Sequence, residues 1–203
     1  MPRNPRSSID SSFLHIMVQG VNKEYIFSTE RYIKEYLFLI NKYSKEFEIN
    51  IIDYCIMNNH AHLLVYTKHL DKLAKFMQKV NLKYSHFYNQ KEKRVGVLFR
   101  NRYKSEAIYN IKYLINCIKY IHMNPVKAEM VKKCEDYSFS SYSDYLYNIG
   151  ISQSPIVLET IGKDFSFIIS NNSTDYLFID NDKHNSNDIS KYMNIRYLSF
   201  SKH

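Results

Sequence analysis

The 203-residue chain reads as an α+β domain on the ferredoxin-like split βαβ plan, an antiparallel sheet with two helices on one face. Three observations predict it. Apolar periodicity alternates between two and 3.6 in the order β-α-β-β-α-β, with one more helix after it. Asn58 and Asn59 sit between two β-rich runs and mark a tight hairpin turn. There is no run of eighteen apolar residues, no internal repeat and no CxxC pair, so a membrane span, a solenoid and a cysteine zinc site are not indicated.

The first strand is expected over 12–19, where Phe13, Leu14, Ile16 and Val18 fall, and Gly20 and Asn22 turn the chain after it. Ser28 or Thr29 can cap a helix reaching about residue 44, with Glu30 in its first turn and Ile33, Leu37, Ile40 and Tyr43 as its apolar stripe. Residues 48–56 are β-rich and pair with 60–66 across the Asn58-Asn59 turn. From 70 to about 88, Leu73, Phe76, Met77, Val80, Tyr84 and Phe87 form one helical stripe. Lys72, Lys75, Lys79 and Lys83 form a second, roughly a quarter turn away at about 100° per residue. One side packs while its neighbour is cationic.

A loop around Lys91-Glu92-Lys93-Arg94 and Gly96 leads to a strand near 102–108. Asn110 then caps a helix whose buried side is Tyr113, Leu114, Cys117, Ile118 and Ile121. Pro125 is expected to end it, because the residue before a proline is pushed out of the α region. Residues 1–150 thus form one domain, with an ordered Tyr- and Ser-rich extension over 126–150. Residues 151–203 form a tail of unknown role, partly flexible, in which apolar clusters at 156–161, 165–169 and 176–179 alternate with polar stretches such as 181–188.

The net charge of +8 is unevenly spread. Residues 1–150 carry 23 Lys and Arg against 14 Asp and Glu, whereas residues 151–203 are nearly balanced. Within 68–104 alone there are eleven basic residues and two acidic ones, so a polyanion is the expected partner. Cys55, Cys117 and Cys134 are odd in number and far apart, which fits a reducing compartment. The first twelve residues lack an apolar signal core, and the expected address is the cytoplasm.

The chemistry concentrates in two places. In a strand alternate side chains share a face, so His60 and His62 can offer two imidazoles to one divalent ion. On a helix Tyr120 and Asn124 stand one turn apart, so a phenol and an amide oxygen can reach the same small volume. Taken singly, a histidine pair in a strand is more often packed than ligating, and one tyrosine of nineteen is more often core than nucleophile. If that helix crosses that strand, the combination suits phosphodiester cleavage: neutral ligands leave the ion its full charge, and a nearby cation favours the phenolate.

Four blocks in order carry a family resemblance. Tyr54 to Leu64 follows Y-x-x-M-P-N-H-x-H-L-L, with Asn58 where proline is usual. Gly96, Leu98, Phe99, Arg102, Tyr103, Lys104 and Ser105 follow G-x-L-W-Q-G-R-[FY]-K-S, with Phe99 in place of Trp and Arg100-Asn101 in place of Gln-Gly. Lys119 to Ala128 follows R-Y-I-H-x-N-P-V-[RK]-A, and Glu135 to Tyr142 follows E-D-Y-x-x-S-S-Y. From Met1-Pro2-Arg3 to about residue 145 the chain resembles the REP-associated tyrosine transposases, a branch of the insertion-sequence-200-like single-tyrosine HUH transposases.

The resemblance implies an HUH endonuclease fold, His60 and His62 as metal ligands, Asn124 completing the site, Tyr120 as nucleophile, and Mg²⁺ or Mn²⁺ as the ion. It also implies single-stranded DNA with a hairpin as substrate, cleaved to a 5′-phosphotyrosine and a free 3′-OH. Arg100, Arg102 and Lys104, with Lys72, Lys75, Lys79 and Lys83, are the expected DNA contacts. Relatives include homodimers that exchange the tyrosine helix and also monomers, so both arrangements stay open. A domesticated, catalytically silent DNA-hairpin-binding protein is the alternative. An RNA-binding module is disfavoured, because no RNP-like aromatic signature falls on the expected strands.

Overall fold

The computed structural model describes residues 11–147, 150–153 and 156–157. The expectations for the first ten residues, and for nearly all of 151–203, fall outside them. Eight regular elements follow one another: β1 (Phe13–Gln19), α1 (Glu30–Glu46), β2 (Asn50–Ile56), β3 (His60–Tyr66), α2 (Leu70–Lys91), β4 (Lys104–Ile108), α3 (Ile111–Lys127) and α4 (Tyr142–Tyr147). The strands form one sheet in the order β2-β3-β1-β4, antiparallel throughout. That is the split βαβ arrangement, with β3 inserted between β1 and β2.

Both faces of the sheet are covered, so the strands are near-continuous in burial rather than alternating. On one face Leu14, Ile16, Val18, Ala61, Leu63 and Val65 pack with Ile33, Tyr36 and Ile40 of α1 and Phe76, Val80 and Tyr84 of α2. On the other, Phe13, Ile52, Cys55 and Leu64 pack with Leu114, Cys117, Ile118 and Ile121 of α3. The expected two helices share a face, and the third closes the opposite one. Among the described residues no helix is long and apolar enough to cross a membrane.

Two local devices position the second face. Gly20 ends β1 and its N–H donates to Asn59 O at 2.9 Å; a Cβ there would meet the Glu24 carbonyl oxygen at 2.5 Å, so only glycine lets the chain pass so close. In β2 the pairing with β3 shifts register between Ile51 and Asp53. Such a bulge breaks the alternation, so that Ile52 and Asp53 both face α3.

Edge strand β2 does not stay bare. Ile56 N–H donates to Phe139 O, and Ser141 N–H donates to Tyr54 O, each at 3.0 Å. The Tyr137 and Tyr145 hydroxyls donate to the carbonyls of Ile56 and Ile52, at 2.7 and 3.0 Å. The extension beyond α3 is thereby laid along the sheet as a cover for its exposed ladder groups.

Helix α3 starts where expected, with the Asn110 side chain accepting from Tyr113 N–H at 2.8 Å. Its end differs from expectation. Pro125 lies inside the helix, which runs on to Lys127. Proline has no N–H for the carbonyl four residues back, that of Ile121. The Asn124 side-chain amide supplies a substitute, donating to Tyr120 O at 3.0 Å and reaching Ile121 O at 3.4 Å.

Candidate active site

On β3, His60 and His62 point to the α3 face, because Ala61, Leu63 and Val65 fill the other. Their rings stand nearly perpendicular, at 88°, with centroids 4.9 Å apart. Each ring is held through Nδ1. His60 Nδ1 lies 2.6 Å from Asn59 Oδ1, and since that oxygen only accepts, His60 carries its proton on Nδ1. His62 Nδ1 lies 3.0 Å from His15 Nε2. Histidine ligands are commonly held in this way through one ring nitrogen, with the other given to the ion.

His15 is fully buried on β1, and burial pushes its pKa down to about 3. The His62 pKa is also lowered well below the ordinary value, first by burial, then by His60 and His15. Burial thus favours the neutral imidazole at both positions, and at His62 that is the form able to ligate.

Tyr120 reaches the same place from α3. Its ring is edge-on to His62, 5.5 Å between centroids at 88°, and 5.9 Å from His15. Lys127, two turns further along the helix, sets its Nζ 5.3 Å from the Tyr120 ring centroid. Asn124 stands one turn beyond Tyr120 with its amide nitrogen committed to helix carbonyls, which leaves Oδ1 as the atom with metal-binding chemistry. Among the described residues no three His, Cys, Asp or Glu side chains gather into a metal cage. What this face offers is a pair of imidazoles, with the Asn124 amide one helical turn beyond Tyr120.

The basic residues divide. Arg100 N–H donates to Gln19 O at 2.9 Å, and Gln19 pairs with His60. Lys104 pairs with Met17, which pairs with His62, so Lys104 shares the histidine face two strands away, about 10 Å across the sheet. Arg102, two residues before it, belongs to the same edge. Lys72, Lys75, Lys79 and Lys83 lie on α2, beyond the opposite face of the sheet. Lys72 pairs there with Glu48, and Lys79 sits 5.7 Å from the Tyr43 ring centroid. The sequence stripe is real, but the fold does not bring it to the tyrosine.

Several neighbours of the site went unread in the sequence. His15 and Asn59 hold the histidine pair, and Lys127 overlies the tyrosine. Glu106, opposite His15 in the β4 register, accepts from the Tyr113 hydroxyl, and burial raises its pKa. His15 belongs to the alternation of β1 that faces α3, Phe13, His15, Met17 and Gln19, and only the pairing of β1 with β3 sets it beside His62.

A four-stranded antiparallel sheet with paired histidines on the face closed by a tyrosine-bearing helix defines the class, an α+β fold of the split βαβ type. The chain belongs to the IS200-like transposase family, whose model matches residues 8–124. A REP-associated tyrosine transposase solved bound to a REP hairpin has a similar structure, with a TM-score of 0.62 at 20% identity over 72% of this chain and 86% of that one. A transposase candidate of Deinococcus radiodurans R1 is more remote, at a TM-score of 0.42 and 11% identity over 67% and 98% of the two chains. No curated protein matches this chain.

Proposed function

We propose that the chain is a metal-assisted single-stranded DNA endonuclease and strand transferase of transposition, working through a 5′-phosphotyrosine on Tyr120. The observation that carries this reading is the Tyr120 ring lying edge-on to His62 within one chain. His60 and His62 through Nε2, with Asn124 through Oδ1, would hold Mg²⁺ or Mn²⁺. Bound there, such an ion supplies Lewis-acid neutralisation of the non-bridging phosphate oxygens.

The chain's own residues do the rest. The Tyr120 oxygen gives up its proton to solvent and bonds to phosphorus as the bond to the 3′ oxygen breaks; that oxygen leaves and takes a proton from solvent. The phosphotyrosine conserves the ester, so a 3′-OH can later attack it, restoring the diester and releasing Tyr120. His15 and Asn59 keep the imidazoles oriented. Arg100, Arg102 and Lys104, along the same edge of the sheet, suit the backbone of the strand being cut. The hairpin carried by the REP-associated relative supports a hairpin as substrate. The approach of Tyr120 to His62 within one chain supports a site assembled without helix exchange.

The test is incubation with Mn²⁺ and a 3′-labelled single-stranded hairpin from the flanks of the gene, followed by a denaturing gel. A slow protein–DNA band is expected from the wild type. Tyr120→Phe should lose the band and keep hairpin binding. Wild type that binds the hairpin yet never forms the band would leave the silent binder as the correct reading.

A further inference from the structure

Asp53, His122 and Ser141 come from β2, α3 and the extension and meet in one buried polar cluster. Asp53 is completely buried, His122 is 3% exposed and Ser141 is completely buried. His122 Nε2 lies 2.9 Å from Asp53 Oδ1, which also accepts from the Ser141 hydroxyl. Ser141 Oγ in turn accepts from Tyr54 N–H at 2.8 Å. Tyr142 and Tyr145 stand edge-on to the imidazole, each with centroids 5.4 Å away. The three residue types are those of a hydrolytic triad, but the order is wrong for one. The carboxylate sits in the middle, the hydroxyl is spent on it, and the cluster is sealed from solvent, so no nucleophile is presented.

A carboxylate costs several kcal/mol to bury and is kept only where it is paired and hydrogen-bonded. Here the strand register is shifted to put it there, since the β2 bulge is what aims Asp53 at α3. Its partner is two residues from Tyr120. Successive helical residues turn by about 100°, so with Ile121 driven into the sheet, Tyr120 and His122 project from its two flanks. Tyr120 goes toward the β1 and β3 histidines, and His122 toward β2 and the extension. A helix held on one flank cannot roll on the other.

We infer that Asp53, His122 and Ser141 are positioning residues that fix the rotation of α3 and so hold Tyr120 against the histidine pair. This rests on the proposed function only in calling Tyr120 the nucleophile; the placement of its ring is a separate observable. The cluster also gives the Glu135–Tyr142 block a role, since Ser141 ties the extension to the helix that carries the tyrosine.

The test compares His122→Phe, His122→Gln, Asp53→Asn and the milder Ser141→Ala in the full chain, with 3-fluorotyrosine placed at position 120. Two readouts are taken: the single-turnover rate of covalent adduct formation at saturating hairpin, and the ¹⁹F shift of residue 120 without metal or DNA. A misplacement of about 1 Å costs about 100-fold in rate. H122F and D53N should slow the adduct by about that factor with hairpin affinity unchanged, and S141A by less. H122Q, which restores an N–H near the Nε2 position, should recover most of the rate. The ¹⁹F line should leave its wild-type position in H122F and D53N and return toward it in H122Q. Unchanged rates and an unmoved line in folded variants would overturn the inference. Should the wild type form no adduct, the functional reading fails, and the ¹⁹F line alone decides whether the cluster positions the ring. If H122F or D53N does not fold, S141A against H122Q decides by the same two measurements.

Discussion

His15 has its Nε2 3.0 Å from His62 Nδ1 and is sealed from solvent. Replacing it with leucine leaves His62 without that partner in apolar surroundings, where an unsatisfied polar atom costs about 1–3 kcal/mol. Partners in this position tune ligand basicity and orientation, so His15→Leu is expected to weaken Mn²⁺ binding by about 10–100-fold, measured by titration calorimetry. His86→Ala, on the exposed side of α2, is the control and should leave affinity as it was. Equal affinities would reduce His15 to a packed core residue. That His60 and His62 share a strand face, and Tyr120 and Asn124 a helix face, was legible because periodicity alone puts each pair together. His15 was not, since its meaning depends on which strand lies beside β1, and pairing across 47 residues leaves no local trace in the sequence.

At the scale of elements, existence and order were readable from periodicity, and the ends were fixed by backbone chemistry that periodicity does not report. Asn110 caps α3 as read, because a side-chain acceptor before an apolar stripe has one common use. Asn110→Ala should therefore destabilise the fold by about 1 kcal/mol, seen as a lower urea midpoint with an unchanged slope. Pro125 was misread as a stop. Its cost is local, the loss of one bond to Ile121 O, and Asn124 offsets it through its own amide nitrogen. Asn124→Ala is accordingly expected to destabilise the protein even without metal, whereas Asn124→Asp keeps an oxygen ligand and loses the amide donor. Comparing the two in metal-free unfolding and in Mn²⁺ binding separates the structural use of that side chain from its metal-binding use. The β2 bulge was equally invisible, since alternation sends Ile52 and Asp53 to opposite faces and only the pairing with β3 reveals that they share one.

For the whole molecule, the two faces of the sheet differ in what they bury, and this sets the response to acid. The α1/α2 face is closed by apolar and aromatic groups, whereas the α3 face closes over two neutral imidazoles. The folded His15 pKa is about 3 against an ordinary value of 6.5, and that of His62 is lowered in the same direction. In the unfolded chain both protonate near pH 6.5, while in the folded chain they resist it. The stabilising contribution of His15 is thus complete above pH 6.5 and is lost progressively as the pH falls from there toward 3, and that of His62 is lost in the same direction. Each such group contributes a slope of up to about 1.4 kcal/mol per pH unit in that window. Urea unfolding of the metal-free protein should show a distinctly lower midpoint at pH 5 than at pH 7, and His15→Leu should flatten the dependence. A midpoint constant between pH 7 and pH 5 would mean that the α3 face opens to water, and with it the sealed setting in which Tyr120 meets His62.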